Sequence, residues 1–172
     1  LRGRKRFRGP ESPVLLNLRN RMIERKKIVE IVEEFIHGSE FYLVDVRVSS
    51  TSKVTVLFDK KSGGLTVDDC ARLSRFLDER LDRDRYDFEL QVSSPGLEMP
   101  FLVNEQFVKN QGRKVEVTGT DGKRHTGILK NVTEGGFEIT APLMEKKKVV
   151  GEQELSFNFS DVNSVKIVIA FK

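Results

Sequence analysis

Ser93-Ser94, followed by Pro95-Gly96, places two hydroxyls at a tight turn, which invites a test for nucleophilic catalysis. A hydrolytic serine needs a base in reach and a third group to orient that base. The chain has two histidines. His37 falls at the expected end of a helix, and His125 follows Lys123-Arg124 in a hairpin expected to be exposed. No Gly-x-Ser-x-Gly elbow surrounds the serines. An enzyme is therefore not expected. The serines read instead as strand-end residues whose hydroxyls bond backbone groups, with Pro95 setting the chain direction.

Other chemically capable residues read the same way. Cys70 is the single cysteine, so no intramolecular disulfide can form, and a reducing, cytoplasmic setting is expected. Its spacing with Leu73, Ser74, Leu77 and Leu81 makes it a core thiol of a helix rather than a nucleophile. One cysteine and two histidines are too few for the usual zinc ligand sets. Gly63-Gly64 lacks the Gly-Lys-Ser/Thr continuation of a phosphate loop. Glu33-Glu34 and Asp68-Asp69 are adjacent acids whose side chains diverge on a helix, so neither pair makes a metal clamp. No metal, no cofactor and no catalytic residue is expected.

The elements that carry these residues follow from periodicity. Ile28, Ile31, Val32, Phe35 and Ile36 predict an amphipathic helix over 23–36, closed by His37-Gly38. Strands are expected over 41–48, with Tyr42, Val44, Val46 and Val48 on one face, and over 53–59, with Val54, Val56 and Phe58 on one face; a turn at Ser49–Ser52 joins them. Thr66 caps a second helix that has acids in its first turn. Tyr86, Phe88, Leu90 and Val92 alternate with polar residues as a third strand. This is an α-β-β-α-β layer. The composition changes at Ser94, and Pro95-Gly96 and Pro100 bracket a junction. A short helix over 104–109 follows, then strands over 114–118, 125–132, 137–140, 149–155 and 165–169. Turn chemistry at Gly119–Gly122 and Thr133–Gly136 separates them, and Asp161-Val162-Asn163 is expected to turn tightly before the last. Five short strands in so little chain favour a small closed barrel. The expected division is an arm over 1–21, an α+β domain over 22–94, a junction over 95–103 and a barrel domain over 104–172.

The net charge of +4 is unevenly placed. Residues 1–21 hold seven of the thirty Lys and Arg and a single acid, Glu11, leaving 23 basic and 25 acidic residues in the remainder. Strong general RNA binding through phosphates is thus not expected of the body. The arm is expected to be disordered or not native, with Met22 as the native start. An RNA-contacting tail and a cleaved organelle-targeting peptide are the other readings. The chain has no run of eighteen apolar residues, so no membrane partner is expected.

At Val92-Ser93-Ser94-Pro95-Gly96-Leu97-Glu98 the chain resembles the signature of the RimP family. Cys70-Ala71-Arg72-Leu73-Ser74-Arg75 resembles the family's second helix. Phe107 with Gly112-Arg113-Lys114-Val115 resembles the opening of its second domain, and Phe159-Ser160-Asp161-Val162 the segment before its last strand. The resemblance covers about 22–172. It departs at Met99-Pro100-Phe101, where the family has Arg-Pro-Leu, and at Lys166, where small residues are commoner.

The resemblance implies a KH-like α+β domain joined to an Sm-like, SH3-like β-barrel, and a non-enzymatic role in maturation of the small (30S) ribosomal subunit. It implies binding to the free or immature subunit, contact of the barrel with a ribosomal protein of the decoding region (the small-subunit protein numbered twelve), and contact with 16S rRNA. A monomer is expected. The residues marked by the resemblance are the junction Ser93, Ser94, Pro95, Gly96, Leu97, Glu98 and Pro100. Arg72, Arg75, Lys146, Lys147 and Lys148 are the candidate rRNA or subunit contacts, with Arg25-Lys26-Lys27 and Lys60-Lys61 as further basic groups that could touch rRNA, each weighed against a merely solvated basic face. No Gly-x-x-Gly loop lies in 22–95, so a KH-like topology here does not imply KH-type RNA binding. The alternative function is an Sm-like RNA-binding module that forms rings and chaperones RNA. It would need exposed aromatic platforms, whereas Phe137, Phe157, Phe159 and Phe171 are spaced as core.

Overall fold

The computed structural model describes residues 23–145 and 148–169; the expectations for the arm 1–21, for Lys146 and Lys147 and for Phe171 lie outside them. The first five elements are α1 (Arg25–Ile36), β1 (Phe41–Val48), β2 (Lys53–Lys60), α2 (Val67–Arg80) and β3 (Glu89–Ser93). The α-β-β-α-β order is as expected. Gly38 ends α1 at φ +69°, a left-handed conformation that costs glycine little. Thr66 and Asp69 form a reciprocal capping box on α2: the Asp69 N–H donates to Thr66 Oγ1 at 3.2 Å, and the Thr66 N–H donates to Asp69 Oδ2 at 2.9 Å.

The first sheet has the order β1-β2-β3, and β2 runs parallel to β3, from Lys53↔Glu89 to Leu57↔Ser93. Parallel neighbours need a crossover, which α2 supplies. Ile28, Val32, Val54, Val56, Leu73 and Leu77 are fully buried, as the helical and strand periodicities predict. Phe35 of α1 meets Phe76 of α2 edge-on at 5.2 Å, and Arg80 bridges to Glu34 at 2.9 Å while its guanidinium lies over Phe76. The third strand starts later than its alternation suggests. Arg85 and Tyr86 N–H groups donate to the Asp82 carbonyl in a turn, so pairing begins at Glu89.

The remaining elements are α3 (Asn104–Lys109), β4 (Lys114–Gly119), β5 (Arg124–Lys130), β6 (Gly136–Glu145), β7 (Lys148–Asn158), a 3₁₀ turn (Phe159–Asp161) and β8 (Val162–Ile167). The expected closed barrel does not form. The second sheet is open, in the order β7-β6-β5-β4-β8, and its end strands do not pair. β7 is bonded along its length to β6, from Gly136↔Asn158 to Glu145↔Lys148. The 3₁₀ turn then carries the chain to the far side of β4. Its bonds go to loops, Phe159 N–H to Gly135 O and Thr120 N–H to Asp161 O, and not to a β7–β8 ladder.

Burial of the inner face does not depend on closure, because α3 supplies Phe107. That ring lies 5.0 Å from Phe101, 5.1 Å from Phe137 and 5.0 Å from Phe159. Val115, Val117, Leu129, Ile139 and Val165 complete the cluster. The tight turn expected at 161–163 is this 3₁₀ turn over 159–161, and Val162 is already in β8. β5 stops at Lys130 because Asn131 takes φ +47°.

By internal contacts the chain divides into two compact units. Among the described residues one takes 23–39, Val46–Leu57 and Thr66–Ser93; the other takes Glu40–Asp45, Phe58–Leu65, 94–145 and 148–169. The outer ends of β1 and β2 therefore belong with the second sheet.

Candidate functional site

The junction begins where β3 ends. Ser93 is half-buried opposite Leu57, Ser94 is exposed, and Pro95 is half-buried. A turn follows, with the Met99 N–H donating to Gly96 O at 3.0 Å. It presents Gly96, Leu97 and Glu98 to solvent, Leu97 being 55% exposed. Pro100 is half-buried, and the next residue ties the segment down through the Phe101 N–H and Val165 O, 2.8 Å. Among the described residues the Ser93 and Ser94 hydroxyls have no hydrogen-bond partner, so the backbone bonds expected of them are not made. Met99, standing where the resemblance has arginine, lines a cavity of about 90 Å³ with Pro95, Phe101, Gln106 and Ile167.

Beside this turn, within the second unit, lies a charge cluster that sequence reasoning missed. Lys109 Nζ, on α3, is 2.7 Å from Asp59 Oδ2, on β2, and the two side chains are 19% and 15% exposed. The Tyr42 hydroxyl, on β1, donates to the same oxygen at 3.2 Å. Burial first, then the Asp59 carboxylate and its hydrogen bond, then Glu105, push the Tyr42 phenol well above the usual tyrosine range. The helix that brings Lys109 here is held at its start by buried Gln106, whose Oε1 accepts from the Leu102 and Val103 N–H groups at 2.7 and 3.3 Å. At its end buried Asn110 donates to Gln106 O at 2.7 Å and accepts from Arg113 Nη1 at 2.9 Å.

An open cleft of about 820 Å³ runs between the loop Lys61–Leu65, the junction Ser94–Leu97 and the residues that follow α3, Asn110 and Arg113. The charged side chains on its walls are Asp59, Lys61, Lys109 and Arg113, and Asp59 is taken up by Lys109.

The cations singled out from the sequence are spread over both units. Arg72 and Arg75 are exposed on α2 in the first unit, and Arg75 Nε donates to Ala71 O at 3.3 Å. Lys148 is exposed at the start of β7 in the second. Lys146 and Lys147 lie outside the described residues. Cys70 is half-buried, and burial followed by the Asp69 carboxylate raises its thiol pKa, which disfavours the thiolate. His125 packs 5.6 Å from Phe157. Among the described residues there is no group of three or more His, Cys, Asp or Glu that could hold a metal, and no helix is long and apolar enough to cross a membrane.

Residues 31–98 match the model of the RimP N-terminal domain. The chain is 31% identical over 153 residues to the ribosome maturation factor RimP of Porphyromonas gingivalis, covering 86% of this chain and all of that protein. It is 26% identical to the RimP of Christiangramia forsetii, over 86% of this chain and 99% of that one, and 27% identical to the RimP of Cytophaga hutchinsonii, over 78% and 89%. Likeness that spans the α+β layer, the Ser93–Glu98 junction and the second sheet in a single alignment makes this chain a member of the RimP family of ribosome maturation factors.

Proposed function

We propose that this protein binds the free or immature small ribosomal subunit and assists its late assembly without catalysis. Its relatives carry the name of ribosome maturation factor, and family membership over nearly the whole chain is the observation that carries the reading. Such a factor acts by binding energy alone, favouring one arrangement of the maturing particle. The role places it in the cytoplasm, as a monomer.

A basic ribosomal protein of the decoding region is the partner we assign to the second sheet. Glu152 and Glu154 stand exposed on β7, an end strand of that sheet, next to Pro142 and Thr140 of β6, with Glu138 on the same face. Acid on an edge strand is complementary to a basic partner. 16S rRNA is the second partner, met through Arg72, Arg75 and Lys148, with Ser93–Glu98 and Pro100 holding the junction between them. The reading as a ring-forming RNA module has no comparable support. Phe137 is buried and stacks on Phe157 at 5.5 Å, and Phe159 packs on Phe107, so these rings serve the core.

Co-sedimentation with purified small subunits, large subunits and intact ribosomes at low and moderate salt tests the proposal. Binding confined to free small subunits and surviving moderate salt is expected. Equal binding to every RNA-containing particle, lost as salt rises, would overturn it.

A further inference from the structure

We propose that the cleft between the Lys61–Leu65 loop and Arg113 holds the sugar-phosphate backbone of single-stranded RNA. This rests on the reading of the chain as a small-subunit ligand and adds an RNA contact to the one assigned to Arg72, Arg75 and Lys148. Three of the four charged side chains on the walls are cationic, and the one anion, Asp59, is bonded by Lys109 at 2.7 Å. Lys61 and Arg113 are left exposed, with no carboxylate partner among the described residues. This surplus does not follow from composition, since acids outnumber bases beyond residue 21.

The loop wall is formed by Gly63 and Gly64, where a side chain would meet nothing within 4 Å, so a ligand can approach the backbone itself. Among the described residues no aromatic side chain lines the cleft, so they offer no stacking platform for bases. Its chemistry suits phosphates, which are held by charge and backbone N–H groups without reading sequence. An acidic peptide would want apolar anchor pockets as well, and among the described residues only the separate side chains of Leu65, Pro95 and Leu97 stand here.

The test uses the full chain and a fluorescein-labelled oligouridylate, with anisotropy titrations over a range of salt. Lys61→Gln with Arg113→Gln is expected to weaken binding roughly tenfold and to flatten the slope of log affinity against log salt by about 0.7 for each phosphate no longer neutralised. Gly64→Val adds bulk without changing charge and is expected to weaken binding while leaving thermal unfolding unchanged. Unaltered affinity in both variants would overturn the assignment, as would polyglutamate competing as well as unlabelled RNA. Small-subunit co-sedimentation separates the two readings. If the double variant bound subunits and oligonucleotide as wild type does, the cleft assignment would fail alone. If the wild type did not bind subunits, the proposed function would fail first.

Discussion

Lys109 Nζ lies 2.7 Å from Asp59 Oδ2, so the last residue of α3 is bonded to the penultimate residue of β2. The pair is four-fifths withdrawn from solvent, and Asp59 also accepts from Tyr42 at 3.2 Å. A charge pair so placed gains little over an apolar replacement, but losing one partner strands the other. Asp59→Ala strands both an ammonium and a hydroxyl, and we expect it to cost about 2–3 kcal/mol. Lys109→Met leaves Asp59 its Tyr42 bond and should cost about 1 kcal/mol. Urea unfolding of the two variants and their combination checks this. If the double variant is as unstable as the sum of the singles, the pair is not coupled.

Tyr42 makes the same cluster sensitive to alkali. Its phenol is held protonated by burial and by Asp59, so its folded pKa stands above its unfolded value, near 10.0. The protonated form's contribution is fully present below the unfolded value. It is lost as pH rises from there through the folded value, because the unfolded chain releases the proton first. Stability should therefore fall with pH above about 10 more steeply in the wild type than in Tyr42→Phe. Parallel curves for the two proteins would show that Tyr42 does not carry the effect.

Two adjacent glycines should respond in opposite ways. A Cβ on Gly136 would drive into Phe157 O and reach Asn158 Cα at 3.1 Å, backbone of the paired strand that cannot move aside. At Gly135 a Cβ would meet nothing within 4 Å. Gly136→Ala is expected to cost about 2–3 kcal/mol by forcing β6 from β7. Gly135→Ala should stay within about 0.5 kcal/mol of wild type. Thermal denaturation of both variants suffices. Equal melting temperatures would contradict the packing seen at the β6–β7 start.

The Thr66 cap offers a test in the first unit. Its hydroxyl both donates to Asp69 Oδ2 at 2.7 Å and accepts from the Asp69 N–H, and Asp69 is itself buried. Thr66→Ala removes both bonds and should cost about 1 kcal/mol. Thr66→Ser retains them and should cost a few tenths. Hydrogen exchange at the first turn of α2 reads the loss locally. Unchanged protection in Thr66→Ala would mean that packing of Leu73 and Leu77 alone holds the helix.

Local pattern made much of this fold legible. Apolar spacing over 28–36, the Thr66 cap and the bounds of α3 at 104–109 could all be read because each depends on neighbours in sequence. The junction string was legible through resemblance and lies at a turn exposed to solvent. What stayed hidden depends on distant partners. Alternation along β7 and β8 is the same whether or not the two strands bond, so the open sheet could not be told from a barrel. Asp59 and Lys109 fall at the ends of their elements, fifty residues apart, and nothing near either one announces the other. Lys60-Lys61 was legible as a basic group, but the cleft was not, since Lys61 and Arg113 meet only through the fold.

The junction turn gives the last expectation, because there fold and contact can be separated. Gly96 has no left-handed φ, and a Cβ there would meet only Met99 Cγ, at an ordinary 4.0 Å, so Gly96→Ala should fold as wild type does. Leu97 is more than half exposed and contributes little burial, so Leu97→Ser should cost under about 0.5 kcal/mol. An exposed leucine at the tip of a turn matters only if a partner covers it. We expect Leu97→Ser to weaken small-subunit binding by roughly tenfold, the scale of one buried apolar anchor, about 1.4 kcal/mol. Co-sedimentation alongside thermal unfolding decides it. Weakened binding with unchanged melting would place Leu97 in the contact. Wild-type binding by both variants would leave Ser93–Glu98 as a structural turn and move the contact to the sheet and the cleft.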